Sequence, residues 1–278
     1  MSEANGAPLA PVVPVELSPA TDALARLGAR VVALVRSIQD PAAGTRGLEW
    51  SLAETAVHVL QTTRSYEAGL TGELQPETEV ADVVDVIARK NREEIESEPE
   101  RAPAKIASAL DDALRGFVAA ARAAGPDRIA VFSTEYSATG TGVVCALIGE
   151  LAIHGWDIAR SIGARWDVER DASLFAAYAS AAAAPLVLDS SAAAGVDVHV
   201  RIKLRGGIPF SIRVRDGRAW SEQSDEVPEA TIAGDPFAYL LAAYGRTGPI
   251  LPMLRGRLVA YGRRPWKLLT LAKVLRSP

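Results

Sequence analysis

Gly149-Glu150-Leu151-Ala152-Ile153-His154-Gly155-Trp156-Asp157 sits inside the stretch that decides how this chain folds. From Thr141 to Ile162 apolar residues fall on almost every side of a 3.6-residue repeat, which predicts a helix buried all round, closed by Gly163. At about 100° per residue, Glu150 and His154 stand about 40° apart, and Asp157 and Ser161 lie within about 20° of Glu150. Ionisable groups on one stripe of a buried helix are costly unless they pair with each other or hold a metal. A carboxylate and an imidazole one turn apart, projecting inward, is how helix bundles build metal sites. A hydrogen-bonded Glu150–His154 pair without metal is the alternative.

Working towards the N-terminus, the pattern stays helical. Residues 1 to 17 are rich in Pro, Ala and Val without period and read as a flexible tail. Ser18-Pro19 opens a helix as cap and first position, with Leu24, Leu27, Val31, Leu34 and Val35 at helical spacing. Ser51 and Glu54 form a capping box before a second helix that runs to about Gly69. Glu79 to Glu98 and Ala104 to Ala124 read as two more, the latter ended by Gly125-Pro126. Ala172 to Leu188 adds an Ala-rich helix, and only Ile129 to Phe132 looks extended. Residues 18–190 are therefore expected to form an α-helical bundle.

Past Gly195 the period drops to two. Val196, Val198, Val200, Ile202 and Leu204 alternate with polar residues, and Gly206-Gly207 and Asp216-Gly217 mark turns of a three-strand meander. A short strand at Ala230 to Ala233, a helix from Asp235-Pro236 to Tyr244, a strand over Leu254 to Tyr261 and a helix over Pro265 to Leu275 complete a small α+β unit, residues 196–278. Residues 197–278 carry 14 Lys and Arg against 7 Asp and Glu, a balance of +7 that leaves −11 for the rest of a chain whose net charge is −4. Such asymmetry suits two units of opposite sign docked on each other.

The 278 residues suffice for two cores, and 49% hydrophobic with 23% charged residues argues against disorder. A net charge of −4 argues against a nucleic-acid grip. The most apolar stretch, Tyr178 to Leu188, is broken by Ser180 and Pro185, so no membrane partner is expected. No basic region precedes an apolar one at the N-terminus, and a cytoplasmic protein, monomer or homodimer, is expected. A single cysteine, Cys145, excludes an intrachain disulfide and a cysteine-built zinc cluster. It lies about 140° round the helix from Glu150 and reads as a buried structural thiol. A thiol enzyme of this sequence must borrow its thiol from a cosubstrate.

Of the three histidines, His199 alternates with charged neighbours and reads as a surface residue. His58 shares the less apolar side of its helix with Ser51, Thr55 and Thr62, a side that faces either a polar cavity or water. In the first case His58, Glu150 and His154 make two imidazoles and a carboxylate, a set known in catalytic zinc sites and compatible with iron.

Leu48-Glu49-Trp50-Ser51-Leu52-Ala53-Glu54-Thr55-Ala56-Val57-His58 resembles the Trp-to-His opening of the DinB-like metal-binding bundles, in particular the mycothiol-dependent maleylpyruvate isomerase family. Glu150 to Arg160 is similar to that family's second signature. The resemblance covers roughly residues 18 to 188. It implies a DinB-like four-helix bundle holding a divalent metal, zinc above all, on His58, Glu150 and His154. The runs Ala230 to Pro236, Ala243-Tyr244-Gly245-Arg246 and Leu254 to Leu258 look like the sterol-carrier-protein-like α/β domain that follows the bundle in some members.

The resemblance also implies an enzyme that uses mycothiol as cosubstrate on a small electrophile. Coordination deprotonates the thiol. The thiolate then adds to the electrophile and either leaves again, as in an isomerase, or stays, as in an S-transferase. Arg246 matches the C-terminal-domain arginine of the isomerase active site. Asp157 is expected to orient His154, and Arg160 or Arg246 to hold a substrate carboxylate. The competing expectation is a non-catalytic binding protein whose C-terminal unit holds a lipid or another small apolar molecule and needs no metal.

Overall fold

A computed structural model describes residues 8–74, 83–131, 136–248 and 250–276. Helices α1 (Leu17–Arg36), α2 (Leu52–Thr71), α4 (Pro103–Ala124) and α5 (Gly140–Ile162) form a four-helix bundle, with α3 (Val83–Ser97) laid on α2 and α6 (Arg170–Ala182) on α5. The apolar stripe of α1 is buried as its spacing requires, Leu24, Val31 and Val35 completely. α1 starts two residues earlier than expected: Glu16 holds the cap position without a side-chain bond, and the Ser18 carbonyl accepts from Thr21 Oγ1. At α2 the capping box is present, Glu54 N donating to Ser51 Oγ and Ser51 N to Glu54 Oε2. The first residues of the expected third helix lie outside the described residues.

The described part of the N-terminal segment is docked. Val13 is buried, and Leu9 pairs with the hairpin of β1 (Ile129–Val131) and β2 (Ser137–Thr139), its N–H donating to Ser137 O and its carbonyl accepting from Thr139 N. That hairpin's second strand carries too few residues to show a period.

α5 is the buried helix its composition predicts. It is long and apolar enough to cross a membrane, more so than the Tyr178 to Leu188 stretch, yet it is buried inside the bundle. Trp166 lies across it and donates Nε1–H to Ala152 O at 3.0 Å. Gly155 makes room: a Cβ there would sit 2.2 Å from the indole. The helix expected to reach Leu188 stops at Ala182 in turns around Pro185, which has no N–H to donate and disfavours helical backbone before it.

The C-terminal unit is a five-stranded sheet in the order β5-β4-β3-β6-β7, built from β3 (Val198–Leu204), β4 (Phe210–Arg215), β5 (Arg218–Glu222), β6 (Ala230–Gly234) and β7 (Leu258–Tyr261). β3, β4 and β5 make the expected meander; β6 returns on the far side of β3 and runs parallel to it. Helices α7 (Pro236–Ala243), α8 (Ile250–Leu254) and α9 (Lys267–Val274) complete the unit; the strand expected from Leu254 starts at Leu258, and Leu254 ends α8. On one sheet face Val198, Val200 and Ile202 oppose Val214, Ile212 and Phe210.

The opposite face corrects the reading of His199. It is 7% exposed and its Nε2 lies 3.0 Å from Ser211 Oγ. The end of β5 and the segment after it fold over this face, Glu222 and Glu226 pairing with Arg213 while the Ser224 and Glu226 carbonyls accept from Arg201. Alternation identified the polar face, but a strap of paired charges and not water covers it.

The two units share one continuous core. The β3–β4 turn meets α6, where Ile208 N–H donates to Tyr178 Oη at 2.9 Å and Phe210 packs edge-on against the Tyr178 ring.

Candidate metal and thiol site

The site forms where α2 and α5 face each other. A chain of bonds fixes their relation. Thr45 Oγ1 lies 2.8 Å from Thr55 Oγ1 on α2, and the neighbouring Arg46 N–H donates to Ser161 Oγ on α5 at 2.8 Å. Ser161, the last member of the polar stripe, thus ties the loop before α2 to α5.

His58 from α2 and Glu150 and His154 from α5 converge, their ligand-capable atoms all within 4.8 Å of one another. Glu150 Oε2 lies 3.7 Å from His58 Nε2 and 3.4 Å from His154 Nε2. His58 therefore faces the bundle interior, at 4% exposure, and not water. Trp50 covers the pair, its ring centroid 4.9 Å from that of His58.

Behind His154 stands Asp157, fully buried. Its Oδ2 lies 3.3 Å from His154 Nδ1, close enough for charge attraction but out of line for a hydrogen bond. His58 Nδ1 is buried without a hydrogen-bond partner. Asp157 also takes Arg246 Nε on both oxygens, at 3.0 and 3.1 Å, while Arg246 Nη1 donates to Tyr244 O. Arg246 follows α7, so the C-terminal unit reaches the site through this residue.

Burial pushes the His58 imidazolium down, which favours the neutral ring. Burial acts the same way on His154, but Asp157 and Glu150 outweigh it and its pKa is raised. Burial would raise the Glu150 carboxyl; hydrogen bonds and charge from the two histidines prevail and hold it well below the usual carboxylate range.

These groups line a cavity of about 350 Å³. Arg160 does not join them. It stacks on Trp156 at 4.4 Å and donates to Arg46 O, turned away because ten helical residues carry it to another face. Cys145 is fully buried, and burial pushes its thiol up to about 12. Sequence reasoning passed over Tyr66, Tyr244 and the Leu9–Pro11 segment, all of which line the cavity. Tyr66 lies about two turns beyond His58, a spacing that carried the signal; the Leu9 contact joins residues too far apart for any local pattern.

The family described as the mycothiol maleylpyruvate isomerase N-terminal domain matches residues 21–159, half of the chain. The chain belongs to that family. Its match contains all three converging ligand-type residues and stops short of Arg246. The crystal structure of the mycothiol-dependent maleylpyruvate isomerase is similar over 88% of this chain and 93% of that one, with a TM-score of 0.54 and 15% identity. A histidine-to-alanine mutant of the same isomerase aligns equally well. At that identity the likeness establishes the fold, and its span runs past the bundle into the C-terminal unit. No curated protein sequence matches the chain.

Proposed function

We propose that this family member is a divalent-metal enzyme that uses mycothiol against an electrophilic small molecule, as a cis–trans isomerase of the maleylpyruvate type or as an S-transferase. The observation that carries the reading is the convergence of His58, Glu150 and His154 at the wall of a cavity large enough for a small ligand. Their fit to a metal is good. Tetrahedral zinc with bonds of about 2.0–2.1 Å sets its donors about 3.4 Å apart, close to the 3.4 and 3.7 Å separations here. Two nitrogens and one carboxylate oxygen, with space beyond them, are a catalytic zinc set, and zinc is the ion proposed.

Held there, the ion would supply Lewis acidity that keeps a thiol ionised at neutral pH. The chain's own residues do the rest. Glu150 and neutral His58 present lone pairs into the cavity. Asp157 sets the orientation of His154 from behind and is a positioning residue, since it is fully buried. Arg246, held by Asp157, offers a guanidinium to a substrate carboxylate. Fully buried Cys145 is not the nucleophile, so the thiol is brought in from solution, in keeping with a cytoplasmic enzyme.

A thiolate adding to a conjugated cis alkene forms a C–S bond and moves the electron pair onto the conjugating carbonyl. The carbon–carbon bond can then turn, and expulsion of the thiolate restores the alkene in its trans form. In the transferase outcome the adduct is protonated and the thiol is consumed. The lipid-binding alternative has less support: the sheet's apolar face is packed core, and the cavity beside α7 and α8 is only about 90 Å³.

Metal analysis of wild-type protein against His58→Ala and His154→Ala tests the reading. About one metal per chain is expected, largely lost in both variants; wild-type protein that is metal-free after chelator-free purification overturns it. Thiol titration during turnover then separates isomerase from transferase.

A further inference from the structure

The cavity over His58, Glu150 and His154 is poor in usable positive charge. Among the described residues two side-chain cations of the Lys and Arg type line it, Lys90 and Arg246, beside two carboxylates, Glu94 and Glu150. Every Lys and Arg of the chain lies among the described residues, and none but these two lines it. Both cations are already opposed. Lys90 stands one turn from Glu94 on α3 and acts on its carboxyl. Arg246 Nε is committed to both oxygens of Asp157 and its Nη1 to Tyr244 O, which leaves Nη2 for a guest.

The rest of the wall is mainly apolar, with Trp50, Ile87, Ile153, Leu186 and Val187 facing the space. Tyr66 and Tyr244 are held neutral, because burial raises both hydroxyls. With the metal position taken by the thiol, a dicarboxylate entering this cavity would leave one carboxylate desolvated without a side-chain partner, a cost apolar contact does not return. Apolar surface on the guest, by contrast, is matched by the wall. Resting on the thiol-enzyme reading above, the geometry points to an electrophile that is largely apolar and carries at most one carboxylate, gripped by Arg246.

The test is titration calorimetry without thiol, on the protein as purified and again after chelation, using three probes of one skeleton: cinnamyl alcohol, trans-cinnamate and 4-carboxycinnamate. A carboxylate bound to the metal shows as the chelator-sensitive part, so the ranking is read after chelation. Cinnamate is expected to bind at least tenfold tighter than 4-carboxycinnamate, with cinnamyl alcohol within tenfold of cinnamate. Arg246→Gln should weaken cinnamate at least tenfold and cinnamyl alcohol less than threefold. Ala183→Phe, which fills cavity space and leaves both members of the Arg246–Asp157 pair in place, should weaken all three and serves if the Arg246 variant does not fold. Binding of 4-carboxycinnamate as tight as cinnamate, or no binding by any probe, overturns the inference. So does a cinnamate affinity that Arg246→Gln leaves within threefold. The ranking needs neither thiol nor turnover, so failure of the thiol-enzyme reading, seen as missing metal or absent thiol chemistry, registers separately.

Discussion

Arg246 clasps Asp157 with Nε set between the two carboxylate oxygens, at 3.0 and 3.1 Å, across 89 residues of sequence. The carboxylate is fully buried and the guanidinium nearly so. This pair joins the central bundle helix to the C-terminal unit directly behind His154. Removing one partner of such a pair leaves an uncompensated charge, which costs about 3 kcal/mol or more. Asp157→Asn and Arg246→Gln should each lower stability by about that amount in urea unfolding. The double variant should lose clearly less than the two losses combined, because the second change removes the charge the first one stranded. Strict additivity would mean that the two side chains do not depend on each other.

Chelation should mimic loss of His154. A ligand that binds only the folded state at about a thousandfold its dissociation constant stabilises by about 4 kcal/mol. Wild-type protein treated with a strong chelator is therefore expected to unfold several degrees lower, with recovery on adding zinc. His154→Ala should unfold at the lower temperature already and not respond to chelator. Equal chelator sensitivity in both proteins would place the metal elsewhere.

The polar stripe was legible because it was anomalous: Glu150, His154 and Asp157 interrupt a helix that is otherwise apolar on every side. The helical bundle and the change of period at Gly195 were legible for the same reason, a local pattern. His58 was half legible; helical spacing gave its side of α2, but only the packing of α2 on α5 decides between cavity and water. Arg160 misled because it is adjacent to the stripe in sequence yet on another face of the helix, stacked on Trp156. The strap over His199 and the Leu9 contact are non-local, and no periodicity encodes them.

Cys145 should be silent towards thiol reagents. Burial pushes its thiol up to about 12, so the native protein holds the proton. In the unfolded chain the same thiol ionises near its ordinary value of about 8.5. A pKa raised on folding stabilises below the unfolded value, and that share is lost as pH rises through about 9 towards 12. Native protein at pH 8 is expected to give no reaction with Ellman's reagent, and one equivalent after denaturation. Rapid labelling of folded protein would expose a nucleophile this structure hides.

Ser51 and Glu54 fix the first turn of the helix that carries His58. Hydrogen bonds from Ser51 N–H and Oγ–H hold the Glu54 carboxyl below its usual range. A depressed carboxylate stabilises above its unfolded pKa of about 4.3 and loses that share as pH falls from there through its lower folded value. Ser51→Ala should cost about 1 kcal/mol at pH 7. The gap from wild type should narrow towards pH 3, as the Glu54 carboxylate takes up its proton. Denaturant titrations at the two pH values check this; a constant gap would mean that the ionised box contributes nothing.

Gly155 gives a test in which the sign itself is informative. In a helix interior Ala is normally better than Gly by about 1 kcal/mol. Here the added Cβ would lie 2.2 Å from Trp166 Cζ2 and 2.7 Å from Cε2. The indole cannot withdraw freely, because its Nε1–H is bonded to Ala152 O and Arg30 sits 5.0 Å over its ring. Overpacking of this kind costs about 1–3 kcal/mol, and a displaced indole forfeits about 1 kcal/mol of hydrogen bond as well. Strain should therefore exceed propensity, and Gly155→Ala should destabilise wild-type protein in denaturant unfolding. In a Trp166→Ala background the obstacle is gone and only propensity remains, so the same substitution should become neutral or stabilising. If Gly155→Ala destabilises equally in both backgrounds, the indole is not what requires glycine beside His154.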